Sequence, residues 1–125
     1  MINFEKQGGL VAAVIQDADS QRVLMVGYMN AEAFARTTET GFVTLFSRTR
    51  QKLWTKGESS GHKLAVRRMQ LDCDADAVLV QAEPVGPGVC HAGYASCFFR
   101  TWQDGKWVVT EERVYDPEKV YGGAP

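Results

Sequence analysis

A chain of 125 residues fits one domain, long enough to bury a core and too short for two. Hydrophobic residues at 45% and charged residues at 23% exclude a disordered or fibrous chain. Fourteen basic against fifteen acidic residues leave a formal net charge of -1, without the cationic excess of a general nucleic-acid or membrane-surface binder. Any bound anion must therefore meet a local patch. The longest apolar runs, residues 9–15 and 23–29, are far too short to span a bilayer. The first residues lack the basic and then apolar pattern of a secretory signal, so a cytoplasmic protein with reduced cysteines is expected.

In chain order, residues 9–16 and 22–29 are valine-rich runs separated by Asp17-Ala18-Asp19-Ser20, which predicts two strands joined as a hairpin. Asn30 is placed to cap a helix over 31–40, with Ala33, Phe34 and Thr37 on one side and Gly41 at its end. Residues 42–47 predict another strand. After a polar stretch, 62–73 alternates again, with Leu64 and Val66 opposite Ala65, Met69 and Leu71. A brief strand over 78–82 is ended by Pro84, and the loop that follows delivers Cys90 and His91. Residues 94–102 and 106–114 flank Gln103-Asp104-Gly105, whose Asp-Gly pair signals a hairpin. Several short strands and one helix predict a mainly β fold, a small sandwich or pseudo-barrel with one short α-helix, as a single domain over 1–125.

Three features carry chemistry. Asp72, Asp74 and Asp76 stand at i, i+2 and i+4, on one face about 7 Å apart if the strand continues, with Cys73 facing the other way. Such carboxylates suit a hard divalent cation such as Mg²⁺, against the plainer reading of a solvated acidic turn. An EF-hand loop counted from Asp72 fails, because position six is Ala77 and Pro84 blocks the exiting helix. Cys73, Cys90 and Cys97 contain no C-x-x-C pair. As ligands they would leave zinc a fourth position open to water, whereas as buried small hydrophobes they would have no chemistry at all. His91, next to Cys90, is suited to general-base work, and His62 is the other histidine, also in a glycine-flanked polar segment.

Residues 47–62 read as an anion site. Seven of the fourteen basic residues lie between Arg48 and Arg68, opposed only by Glu58, so a phosphorylated ligand is favoured over a merely solvated loop. Trp54 offers a face to a base.

Taken together, Met25-Val26-Gly27-Tyr28-Met29-Asn30, Ser47-Arg48-Thr49-Arg50, Leu53 to His62, Asp72-Cys73-Asp74-Ala75-Asp76, Cys90-His91, Ser96-Cys97-Phe98, Val114-Tyr115-Asp116-Pro117 and Val120-Tyr121-Gly122 resemble the phosphoribosyl-AMP cyclohydrolases of histidine biosynthesis. The resemblance spans about residues 10 to 122. It implies hydrolytic opening of the adenine ring of 1-(5-phosphoribosyl)-AMP between N1 and C6. It also implies zinc on Cys73, Cys90 and Cys97, Mg²⁺ on Asp72, Asp74 and Asp76, and a homodimer in which Cys73 of one subunit joins Cys90 and Cys97 of the other. On that basis zinc activates water and His91 moves its proton. Arg48, Arg50 and Lys56 meet the phosphates, Trp54 stacks on the base, and His62 belongs to the substrate site. Ala92 stands where family members often carry threonine, which removes a hydroxyl and leaves the metal ligands intact. A nucleobase deaminase is excluded because its H-x-E and P-C-x-x-C patterns are missing. The remaining alternative is a non-catalytic nucleotide-binding module stapled by zinc.

Overall fold

Residues 1–122 are described by the computed structural model; the last three residues of the expected 1–125 domain lie outside them. A 3-10 turn at Glu5–Gln7 leads into β1 (Val11–Asp17), β2 (Val23–Met29), α1 (Ala31–Thr40), β3 (Thr44–Ser47), β4 (Lys52–Thr55), β5 (Leu64–Leu71), β6 (Ala77–Pro84), β7 (Arg100–Gln103) and β8 (Lys106–Val109), followed by a π-helical turn at Glu118–Gly122. The mainly β expectation with one short α-helix is borne out. The strands form a four-stranded sheet, ordered β2-β1-β6-β5, and two separate hairpins, β3-β4 and β7-β8; no barrel closes among the described residues.

Alternation in β1 decides which face is buried. Val11, Ala13 and Ile15 are fully covered, as are Val80 and Ala82 beside them on β6 and Met29 on β2. β1 and β6 run parallel because the intervening chain crosses over through α1 and four strands, β2 to β5, whereas the β1-β2 neighbours need only the short turn the sequence marks. The helix forms where expected. The Asn30 side chain accepts the Ala33 amide (2.8 Å), and Gly41, at φ 80°, donates its amide to Thr37. The buried Thr37 hydroxyl donates to the Ala33 carbonyl (2.9 Å) and accepts the Thr44 amide (3.0 Å), tying α1 to β3 with no polar group left over.

Four expectations change. In β5 the register slips between Val66 and Arg68, a bulge that returns Val66, Met69 and Leu71 to the side of Leu64; strict alternation had split them between faces. The same strand stops at Leu71, before Cys73. Lys52–Thr55 is a strand paired with Thr44–Ser47, inside a stretch whose charges and hydroxyls hide its short β pattern. Residues 94–99 are loop, because Ser96 and Cys97 bond laterally to the start of β2, through Ser96 Oγ to Val23 O (2.8 Å) and Cys97 N to Leu24 O (2.8 Å).

The Asp104-Gly105 turn has both residues at positive φ (50° and 77°), as the two-residue hairpin requires. It brings Trp102 opposite Trp107, ring centroids 5.2 Å apart, yet both remain mostly exposed, at 58% and 66%. Arg22 fastens this end of the chain to the sheet by pairing with Glu111 and donating to the Phe98 carbonyl (3.0 Å). No helix among the described residues is long and apolar enough to cross a membrane.

The two faces of the main sheet should respond differently to truncation. Ile15→Ala should cost about 2–5 kcal/mol in urea unfolding, and Val26→Ala, on the uncovered face, under about 1 kcal/mol.

Candidate active site

The loop between β6 and β7 carries two of the three thiols. Residues 90–93 close a turn in which the Gly93 amide donates to the Cys90 carbonyl (3.0 Å) and the Ala92 amide donates to Cys90 Sγ (3.4 Å). Cys90 is buried, and Cys97, brought back by its bond to Leu24, comes near enough for the charge of one thiol to bear on the other. Burial pushes the Cys97 thiol up to about 11, the nearby Cys90 adds to the shift, and the Lys56 ammonium opposes it. Two neighbouring sulfurs, one of them already served by an amide donor, make a set that a thiophilic dication fits, because its charge offsets the burial and the neighbouring sulfur that disfavour the Cys97 thiolate.

Lys56 connects this pair to the basic stretch. It is buried at 8% exposure, its ammonium is 5.7 Å from the centre of the Trp54 ring, and it is close enough to Cys97 to act on that thiol's charge. Trp54, Arg50, Lys52 and Ser47 line a cavity of about 310 Å³ formed by the β3-β4 hairpin. Arg48 lies elsewhere, its guanidinium carbon 3.9 Å from the centre of the Tyr28 ring. Arg50 and Trp54 thus share the cavity, Lys56 adjoins Trp54, and Arg48 is not part of the lining.

The two histidines differ in how they are held. His62 is half-buried, and its Nδ1 lies 3.1 Å from the Gly88 carbonyl; since a carbonyl only accepts, Nδ1 carries the proton, and the neutral ring keeps Nε2 as acceptor. A Cβ at Gly86 would come within 2.4 Å of the His62 ring, so a side chain there would displace it. His91 is exposed, immediately after Cys90.

The acidic segment is a turn, not the strand continuation expected. Asp72 Oδ1 accepts the amides of Asp76 and Ala77 (3.0 and 3.1 Å), and Ala75 takes a positive φ of 63°. The turn still gathers Asp72, Asp74 and Asp76 so that one oxygen from each lies within 4.8 Å of the others. Lys6 is already there, its ammonium 2.6 Å from Asp74 and 3.2 Å from Asp76. This is the single group of three or more His, Cys, Asp or Glu ligands that converges among the described residues. Cys73 is exposed on the same turn, so one chain does not assemble its three thiols.

The family model for phosphoribosyl-AMP cyclohydrolase matches residues 25–99. Relatives of the same name are 62% identical over 98% of this chain and 97% of the protein from Solibacter usitatus, and 49% identical over 95% and 94% for Nitratidesulfovibrio vulgaris. The chain belongs to the phosphoribosyl-AMP cyclohydrolase family. A relative of that name from Neisseria meningitidis is 46% identical over 97% of this chain and 92% of its own length. The family model covers the Trp54 groove, His62, the acidic turn and the Cys90–Cys97 loop, and the relatives' likeness also covers the hairpin and the segment behind it.

Tyr115 is a residue of this site that spacing alone did not single out. Its hydroxyl donates to the Cys90 carbonyl (2.6 Å), and its ring stands edge-on to His62 with centroids 4.8 Å apart. Burial raises its phenol above the ordinary value of 10.0, with Tyr121 as the next cause. In the sequence it was visible only as part of Val114-Tyr115-Asp116-Pro117, without a role.

The acidic turn has a charge state that can be measured. The hydrogen bond from Lys6, then that with Asp76, lowers the Asp74 carboxyl from 3.8 to about 2. Because the folded value is the lower one, the stabilisation from this pair is complete above the ordinary carboxylate range and fades as pH falls towards 2. An NMR titration of Lys6→Met should show the Asp74 carboxyl returning towards 3.8; an unchanged midpoint would mean that Lys6 is not the cause.

Proposed function

We propose that this chain catalyses the phosphoribosyl-AMP cyclohydrolase step of histidine biosynthesis in the cytoplasm, opening the adenine ring of 1-(5-phosphoribosyl)-AMP between N1 and C6. The observation that carries the reading is the thiol pair Cys90–Cys97 linked through buried Lys56 to the Trp54 groove, in a chain with near full-length relatives of that name.

Cys90 and Cys97 would hold zinc with Cys73 of a second copy, and the acidic turn would hold Mg²⁺ once Lys6 withdraws from Asp74 and Asp76. Zinc, when bound, supplies a Lewis acid that makes water nucleophilic near neutral pH. The protein's own groups do the rest. Trp54 stacks on the purine and so presents C6 towards the thiol loop. Arg50 and Lys56 bind phosphate oxygens, and Arg48 reaches a second phosphate by leaving Tyr28. His91 takes the proton from the attacking water and returns one to N1 as the ring opens.

A second assignment of the base rests on His62, whose Nδ1–H is committed to Gly88 and whose Nε2 is left to accept. The two histidines separate kinetically. His91→Ala should retain metal and fold while kcat falls about 100-fold or more, and His62→Ala should act mainly through KM. The reverse pattern would transfer the base role to His62.

The shared metal site rests on Cys73 lying away from the other two thiols in one chain. A homodimer would also offer cover to the mostly exposed Trp102–Trp107 pair. Cys73→Ser and Cys97→Ser should each bind zinc more weakly and lose activity. Co-expressed in equal amounts, they should recover about a quarter of the wild-type activity, because half the dimers are mixed and each holds one intact site. No recovery would contradict a site built from both copies.

Following purine ring opening by absorbance decides between catalysis and a metal staple. A chelator should abolish turnover of 1-(5-phosphoribosyl)-AMP and leave the strand signal in circular dichroism unchanged. Unfolding on metal removal would favour the non-catalytic module, and full activity without zinc would refute the thiolate site.

A further inference from the structure

The chain beyond β8 returns to the thiol loop and is tied to it at three successive residues. Arg113 Nε donates to the Ala92 carbonyl (2.9 Å), and the amides of Val114 and Tyr115 both donate to the Gly93 carbonyl (2.8 and 3.3 Å). The Tyr115 hydroxyl then donates to the Cys90 carbonyl (2.6 Å), which already accepts the Gly93 amide. On its other side the Tyr115 ring meets His62 edge-on, and Gly88 lies so close that a Cβ there would approach the ring to 2.9 Å. His62 donates back to the carbonyl of that same Gly88.

One side chain thus bears on both halves of the site. The Cys90 peptide plane sets the direction of the residues on either side of it, Cys90 with its sulfur and His91 with its imidazole. Residues 90–93 lie outside any strand or helix, so their orientation comes from hydrogen bonds such as these. A half-buried O–H···O bond of 2.6 Å is a stiff restraint, and a ring packed between His62 and Gly88 fixes where that restraint originates.

We infer that Tyr115 is a positioning residue that holds the Cys90–His91 turn and the His62 imidazole in one fixed relation through its hydroxyl and its ring. The inference rests on the cyclohydrolase reading for what the site does, and on geometry alone for what Tyr115 holds. Its hydroxyl is committed to a backbone carbonyl, so it acts through Cys90, His91 and His62 and not on the nucleotide.

Tyr115→Phe keeps the ring and removes the bond. In the metal-free protein, amide exchange at Gly93 and disulfide-reagent labelling of Cys90 should each accelerate about tenfold. In the zinc-loaded protein kcat should fall about tenfold, with KM for the nucleotide within about twofold, as expected when prearrangement is lost and binding is kept. Arg113→Ala removes the neighbouring bond to Ala92 and spares the Cys90 carbonyl, so labelling of Cys90 should change by less than about twofold. Tyr115→Leu also removes the edge contact and should shift the His62 ring resonances.

Wild-type exchange and labelling rates in Tyr115→Phe would overturn the inference, as would equal effects from Arg113→Ala. So would a loss confined to KM. Exchange and labelling need neither metal nor substrate, so they decide the role of Tyr115 even if the wild-type protein fails to open the purine ring. That failure would sink the cyclohydrolase reading separately.

Discussion

Cys90 and Cys97 are held near each other, and burial together with the neighbouring sulfur disfavours negative charge on Cys97 unless a cation joins them. Much of the surrounding structure maintains that arrangement. Cys97 is brought back towards Cys90 because its amide is bonded to Leu24 at the start of β2, and Ser96 repeats the attachment one residue earlier. Lys56 brings positive charge against the pair from the opposite hairpin. The sheet thus serves as a rigid frame, with an irregular loop stretched along its edge by a few specific bonds.

Charge is placed economically elsewhere too. A near-neutral chain gathers Arg50, Lys52 and Lys56 beside Trp54 and Asp72, Asp74 and Asp76 in one turn, where Lys6 neutralises part of the charge. Under the proposed reading, metal would have to compete with an ammonium already in place, so the acidic turn would bind more weakly than three free carboxylates. The β7-β8 hairpin follows a different logic, since among the described residues its two tryptophans meet each other and otherwise stay mostly exposed.

Much of this was legible from residues alone, for identifiable reasons. The β1-β2 hairpin and α1 announce themselves through strict alternation, an asparagine cap and a terminal glycine, all of them local signals. β4 was hidden because its four residues are flanked by charge on both sides. The β5 bulge was hidden because one inserted residue reverses the inward and outward pattern, and only pairing with β6 reveals it. The grouping of the three aspartates was expected, although a turn and not a strand produces it. Lys56 was selected for its charge, and its position between Trp54 and Cys97 follows from tertiary structure. Tyr115 carries no chemical label in the sequence, and its bearing on Cys90 and His62 needs three distant segments to meet.

The central claim is that zinc is held by thiolates drawn from two copies of the chain. X-ray absorption at the zinc edge tests it most directly, because sulfur and lighter ligands scatter at different distances. The account predicts three sulfur neighbours at about 2.3 Å and one lighter atom at about 2.0 Å in the loaded wild-type protein, falling to two sulfurs in Cys73→Ser. A zinc ion with no more than one sulfur neighbour, or a sulfur count indifferent to Cys73, would contradict it.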